Sequence, residues 1–204
     1  MLVGTKVSIG PFVPDDCVAM YCWANDVAAA RLNGAFRPVN LVDVVREFEV
    51  VGKDPSRVSF AIRLRTSTTI IGYVHIHNIS GVHRSADIGI RIGEEKNRGQ
   101  GYGKEALMLA LDYCWRHLNL NRVGLIVFRD NPRAVRVYKA AGFRTEGCFR
   151  KLFFIDGAWV DVLAMAAFRP TRKRARAVAL DRTSGADASL APAQSSAPQL
   201  TAAA

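Results

Sequence analysis

Hydrophobic positions along this chain recur with two different periods, and each change of period marks the boundary of a predicted element. In "RVSFAIRLR", residues 57–65, Val58, Phe60, Ile62 and Leu64 share one face, and after the turn residues "TST" a second strand runs through "IIGYVHIHN". The two form a hairpin. A third strand, "SADIGIRI" at 85–92, follows the turn "SGVHR". Leu107, Ala110, Leu111, Cys114, Trp115 and Leu118 then fall on one helical face, which predicts an amphipathic helix over 101–118. "RVGLIVF" at 122–128 reads as a short buried strand. The next helix, 132–141, has Pro132 in its first turn after Asn131 and ends at Gly142. Two final strands, 144–154 and 158–168, flank the hairpin dipeptide Asp156-Gly157. Segments 14–31 and 40–51 read as helices. The order is strand, helices, antiparallel strands, helix, strand, helix, hairpin, which is a mixed α/β domain.

Composition changes this picture mainly at the C-terminus. The chain has 204 residues, half of them apolar, enough for one sizeable core, and the periodic pattern stops near residue 169. From residue 183 on, 15 of 22 positions are Ala, Ser, Pro or Gly, too little apolar surface to offset the entropy of ordering. The expected organisation is therefore a domain over 1–169 and a disordered tail over 170–204. Net charge is +10, and six basic against two acidic residues lie from Arg169 onward, which leaves about +6 for the domain. Such a charge suits a nucleic acid, a membrane surface or an anionic small molecule. No helix-turn-helix, zinc finger or stacking motif stands out, and the run "RPTRKRAR" reads as solvated charge, so a nucleic-acid partner is not expected.

Four cysteines (Cys17, Cys22, Cys114, Cys148) form no CxxC pair and have no histidine at zinc spacing, so neither a disulfide framework nor a metal site is expected. The N-terminus lacks the basic start and apolar run of a signal peptide, and no apolar stretch is long enough to span a bilayer. These features point to a soluble protein of the reducing cytoplasm, with no membrane partner.

Candidate chemistry gathers in "EEKNRGQGYGKEAL", residues 94–107, between a strand and a long helix. A P-loop needs four residues between its first glycine and Gly-Lys, then Ser or Thr. Here three residues separate Gly99 from Gly103, and Glu105 follows Lys104. A dinucleotide fingerprint needs a third glycine where Lys104 stands. Both templates fail. What remains is Arg98, Gly101 and Gly103 leading into a helix, a geometry that exposes backbone N–H groups at the positive end of a helix dipole. A pyrophosphate cradle and a plain flexible turn both fit the loop taken alone.

Together with "WAND" (23–26), "HRSADIGIRIG" (83–93), "RGQGYGKEAL" (98–107), "LNLNRVGLIVFRDNPRAVRVYKAAGF" (118–143), "EGCFR" (146–150) and "DGAWVDVLAM" (156–165), the chain resembles the GNAT superfamily of N-acetyltransferases, and within it the Rim-type branch. That branch includes ribosomal-protein N-terminal and spermidine acetyltransferases. The resemblance covers nearly all of 5–168. It implies a single GNAT-type domain with a mixed, mostly antiparallel central sheet flanked by helices, whose splayed strands form a cleft for acetyl-CoA as cosubstrate. The pyrophosphate would lie against Arg98, Gly99, Gln100, Gly101, Tyr102, Gly103 and Lys104. The pantetheine arm would pair with the strand edge at Ile90, Arg91 and Ile92, with a backbone N–H near Ile90 as oxyanion donor. Asn131 would contact the arm while also capping its helix. Arg133 and Lys139 are near enough in sequence to meet phosphates, or are plain solvent-exposed charges.

By the same resemblance, Tyr138 would protonate the leaving sulfur, against the alternative of a purely structural tyrosine. Asp87 stands where the branch usually has Glu and is the candidate base, one methylene shorter. His75, His77 and His83, on or beside adjacent strands, are further candidates to assist it. The implied reaction is direct acetyl transfer to a primary amine, whether a protein N-terminus, a polyamine or another small amine, without a metal. Acceptor specificity is expected in 14–50 and in the 144–168 hairpin, whose exposed edges also suit a homodimer. Two alternatives are a catalytically silent CoA-binding protein of the same fold and a basic protein that interacts with nucleic acid.

Overall fold

The computed structural model describes residues 1–31, 34 and 37–170. The tail expected over 170–204 therefore lies outside the described residues, Pro170 excepted. The chain opens with two short strands, β1 (Leu2–Val3) and β2 (Val7–Gly10), and three helices, α1 (Asp16–Ala24), α2 (Val27–Ala30) and α3 (Leu41–Val51). A meander follows, β3 (Val58–Leu64), β4 (Ile70–Ser80) and β5 (Ser85–Ile92), then α4 (Tyr102–Arg116), β6 (Arg122–Phe128), α5 (Pro132–Ala140) and the hairpin of β7 (Arg144–Ile155) and β8 (Ala158–Phe168). The eight strands form one sheet in the order β1-β2-β3-β4-β5-β6-β8-β7. All pairs are antiparallel except β5 with β6, which are parallel because α4 carries the chain back between them. Residues Met1–Arg169 cluster as one compact unit.

Alternation along β4 sends Val74 and Ile76 to one face of the sheet and Tyr73, His75 and His77 to the other. The first face packs against α4 through Leu107, Ala110, Leu111 and Cys114, in a core that also takes Val7, Ile9, Ile88, Val123 and Leu125. The second face carries a smaller cluster of Trp23, Ala61 and Ile70, with Phe12, Met20 and Tyr73 against it. It also holds a buried ion pair: Arg63 Nη2 lies 2.6 Å from Asp16 Oδ2 at the start of α1. Arg63 Nε donates further to the Thr68 carbonyl, and Asp16 accepts from the Val13 N–H, so both charges are satisfied out of water.

The single helix expected over 14–31 is instead two, broken at Asn25. Its side-chain amide donates to the carbonyls of Tyr21 and Val39 and accepts from the Val39 N–H, bonds that an asparagine inside a continuous helix could not make with a segment 14 residues on. Among the described residues no helix is long and apolar enough to cross a membrane.

Candidate functional site

The pairing of β5 with β6 is confined to three residue pairs, Ser85 with Arg122, Ala86 with Val123 and Asp87 with Gly124. Beyond Asp87 the two strands separate. β5 continues against β4 as far as Ile92, and β6 continues against β8 as far as Phe128. Alternate N–H and C=O groups along Ile88–Ile92 thus face a gap instead of a neighbouring strand. From Asp87 to Ile92 this open edge runs about 17 Å at strand rise. A cavity of about 630 Å³ occupies the gap, lined by Asp87 and Ile88–Ile90 on one side, Gly124–Phe128 on the other, and Asn131 and Tyr138 of α5.

The glycine loop follows the open end of β5. Gly99 and Gly101 hold φ of +80° and +85°, left-handed backbone that favours glycine, and Gly101 is the N-cap of α4. Gly103 differs: a Cβ there would lie 3.4 Å from Ile92 Cγ1, an ordinary contact, so the helix would seat on the strand with a methyl group at this position too. The first-turn N–H groups of α4, including those of Tyr102, Gly103 and Lys104, have no partner within the helix. Arg98 does not point its charge over the loop. Its guanidinium donates to the carbonyls of Ile92 and Gly93, at 3.2 and 2.5 Å, and so ties the loop to the end of the strand.

Two other cations stand over the glycines. Arg133 Nη2 is 3.6 Å from the position of a Cβ on Gly99, and Lys6 Nζ is equally far from that on Gly101 while donating to the Gln100 carbonyl. Lys6 was not singled out from sequence. It is placed by Glu105, whose carboxylate accepts from the Thr5 hydroxyl and from the N–H groups of Thr5 and Lys6. Burial raises the Glu105 pKa, but these bonds outweigh it and hold the carboxyl below its ordinary value. Lys104 is exposed on α4.

Asn131 caps α5 by accepting from the Ala134 N–H at 3.1 Å, and it also lines the cavity. At the other end of α5 the Phe143 N–H bonds the Tyr138 carbonyl and the Gly142 N–H bonds that of Lys139, with Gly142 at φ +100°. This is a Schellman closure, and its hydrophobic contact is the edge-to-face packing of Tyr138 on Phe143, centroids 5.7 Å apart. Tyr138 is consequently 8 % exposed, and burial pushes its pKa up to about 12.

Asp87 lies at the closed end of the gap. Asn78 Nδ2 donates to its Oδ2 at 2.9 Å, while a Cβ on Gly124 would come within 2.8 Å of its Oδ1, so the glycine in β6 makes room for the carboxylate. Gly89, inside β5 and also unremarked from sequence, has open space where its Cβ would be. The three histidines part company. His77 pairs across the strands with Asp87 and lines the gap, whereas His75 lines a second cavity and His83 is exposed in the β4–β5 turn. Cys114 is buried with its thiol pushed up to about 12, which makes it a poor nucleophile at neutral pH. Among the described residues no three His, Cys, Asp or Glu side chains cluster to hold a metal.

A family model described as an acetyltransferase (GNAT) domain matches residues 6–144, more than half of the chain. Spermidine N(1)-acetyltransferase of Vibrio cholerae serotype O1 is 40% identical over 96 residues, 47% of this chain and 55% of that protein, a stretch too short to include both Phe12 and Tyr138. The chain thus spans about half the length of the curated relatives it matches. A crystal structure of spermidine N-acetyltransferase from Vibrio cholerae in complex with CoA and spermine superposes with a TM-score of 0.74 at 26% identity, covering 79% of this chain and 95% of that one. A dodecameric structure of the Vibrio cholerae enzyme in an intermediate state gives 0.68 at 26% identity, covering 79% and 93%.

Proposed function

Since the chain belongs to the GNAT acetyltransferase family, we propose that it is an acetyl-CoA-dependent N-acetyltransferase that passes the acetyl group directly to a primary amine, whether a protein N-terminus, a polyamine or another small amine. The observation that carries this reading is the parting of β5 from β6 after three residue pairs, with the glycine loop at its open end and Tyr138 and Asp87 lining its cavity. The solved relative that holds CoA and spermine supports it.

The residues present fit such a cosubstrate. Backbone N–H groups of Gly99–Lys104, with Lys6 and Arg133 beside them, would hold a diphosphate. The free edge of Ile90, Arg91 and Ile92 would bond the amides of an extended arm as an added strand does, with Asn131 on the facing side. Bound acetyl-CoA would supply a thioester whose acyl carbon accepts the amine nitrogen while its sulfur leaves with a proton.

A backbone N–H near Ile90, on a strand fixed by its β4 pairing, would hold the acyl oxygen. Asp87, held by Asn78 with Oδ1 toward β6, receives the proton that the amine must shed before it can attack. Tyr138 stays a neutral phenol because burial disfavours its anion. Full proton donation from a group at about 12 to a sulfur of ordinary pKa about 8.5 is uphill by about 5 kcal/mol. Its part is therefore to keep a hydrogen bond on the sulfur as the C–S bond breaks, and to pass its proton only in concert with the one the amine releases.

The dodecameric relative, together with the exposed Phe149, Phe154 and Trp159 on the β7–β8 hairpin, supports self-association at that hairpin, a homodimer being the smallest unit. The free cysteines suit a reducing cytoplasm. The test is CoA release from acetyl-CoA and an amine by the full chain and by Tyr138→Phe. The variant is expected to lose at least tenfold in kcat while its affinity for acetyl-CoA changes less than threefold. Normal turnover by the variant would remove Tyr138 from the mechanism. Acetyl-CoA binding without release for any amine would favour the silent CoA-binding alternative.

A further inference from the structure

Building on the acetyltransferase reading, we propose that the turn between β1 and β2 is an arm of the donor site: Lys6 grips the diphosphate of the cosubstrate, and Glu105 is the positioning residue that holds Lys6 in place. Glu105 stands in the first turn of α4, and main chain from the other end of the sequence wraps its carboxylate. The Thr5 N–H, the Lys6 N–H at 2.9 Å and the Thr5 hydroxyl at 2.8 Å all donate to it. A Cβ on Gly4 would overlap the same carboxylate, so the glycine leaves it room.

The turn is held on its other side as well. Its carbonyls at Gly4 and Lys6 accept from Arg65, the first from a guanidinium N–H at 3.3 Å and the second from the main-chain N–H at 3.0 Å. The Gly4 N–H closes on the Val7 carbonyl at 2.8 Å, and Val7 and Ile9 then enter the core. With its main chain bound from both sides, the Lys6 side chain has a fixed root. From there Nζ reaches the Gln100 carbonyl at 3.1 Å and stands 3.6 Å from the position of a Cβ on Gly101, the N-cap of α4.

That setting calls for an anion. Lys6 Nζ lies at the positive end of the α4 dipole, where a cation is unfavourable by itself. Arg133 reaches the Gly99 end of the same loop from α5. Among the described residues neither cation forms an ion pair. The Gln100 carbonyl takes one of the three ammonium donors of Lys6, which leaves two for a ligand. A diphosphate on the first-turn N–H groups of α4 would meet a cation on either side. A thioester without phosphates would gain nothing from either.

The experiment measures the Kd of acetyl-CoA, acetyl-dephospho-CoA and S-acetylpantetheine for the full chain, Lys6→Gln, Glu105→Gln and the double variant. Lys6 is exposed, so folding should tolerate its replacement. Lys6→Gln should weaken both diphosphate-bearing donors at least tenfold, change S-acetylpantetheine less than twofold, and make acetyl-CoA binding less sensitive to salt. Glu105→Gln should weaken the same two donors at least threefold, because one amide oxygen cannot replace both carboxylate oxygens. In the Lys6→Gln background it should add less than twofold, as a residue acting through Lys6 must. Full additivity would overturn the positioning role of Glu105. A loss confined to acetyl-CoA would place Lys6 at the ribose phosphate and overturn the diphosphate contact. Unchanged binding by Lys6→Gln, or equal weakening of all three donors, would overturn it too and leave the acetyltransferase reading standing. Failure of the unaltered chain to bind acetyl-CoA would overturn both.

Discussion

His75 shows how much one side chain on β4 responds to its surroundings. Burial, then the nearby charges of His77 and Arg57, push its pKa down to about 4, and its Nδ1 lies 2.6 Å from the Ser59 hydroxyl. Between the unfolded value near 6.5 and that folded value, the unfolded chain binds the extra proton, so stability falls as pH falls. The contribution is complete above pH 6.5 and is lost by about pH 4, with an upper size of about 3 kcal/mol. Melting temperature measured across that window should drop more steeply for the wild-type chain than for His75→Gln; parallel curves would refute this. Legibility at the residue scale followed sequence distance. Asn131, Tyr138 and Gly142 could be read together because one helix and its two caps define them. Lys6 could not, since only a carboxylate about a hundred positions away brings it to Gly101. Arg98 shows the reverse case: a cation beside glycines suggests a phosphate, and sequence gives no sign that its guanidinium also bonds the carbonyls ending β5.

Elements with a full run of periodic positions were legible nearly to the residue, as α4, β6 and the β7–β8 hairpin show. Strand β1, two residues long, has no period to read, and the break after α1 depends on a tertiary bond from Asn25. How elements seat on one another is less legible still. A Cβ on Gly93 would land inside the ring of Trp23, so the close seating of α1 on the end of β5 depends on a glycine that sequence alone presents as a strand terminus. Gly93→Ala should force Trp23 outward and destabilise the protein by about 1–3 kcal/mol. The urea midpoint would fall accordingly with an unchanged slope. An unaltered midpoint would mean that α1 can shift without cost.

For the molecule as a whole, the sheet is two half-sheets, β1 to β5 and β6-β8-β7, joined by three residue pairs and by the helices packed across them. A ligand bonded along the open edge would hold both halves. Acetyl-CoA at a hundredfold excess over its Kd should therefore add about 2.7 kcal/mol of stability, visible as a raised melting temperature. No shift at saturation would sink the donor assignment. The order of elements was legible because a strand, helix and strand in succession imply a parallel pair. The divergence of that pair was expected from the family resemblance alone, because periodicity reports which face is buried and says nothing about where two neighbours part.

The parting of β5 and β6 also separates what can drift from what cannot. Ile90 and Ile92 turn their side chains to the core and Arg91 donates to the Trp23 carbonyl, so selection on those positions acts through folding. The surface that the open edge of β5 offers is main chain, the same whichever residues supply it. That edge is then inherited as shape, while the walls that α1 and α3 give the second cavity are written in side chains. A lineage could rewrite those helices and leave the edge of β5 as it is.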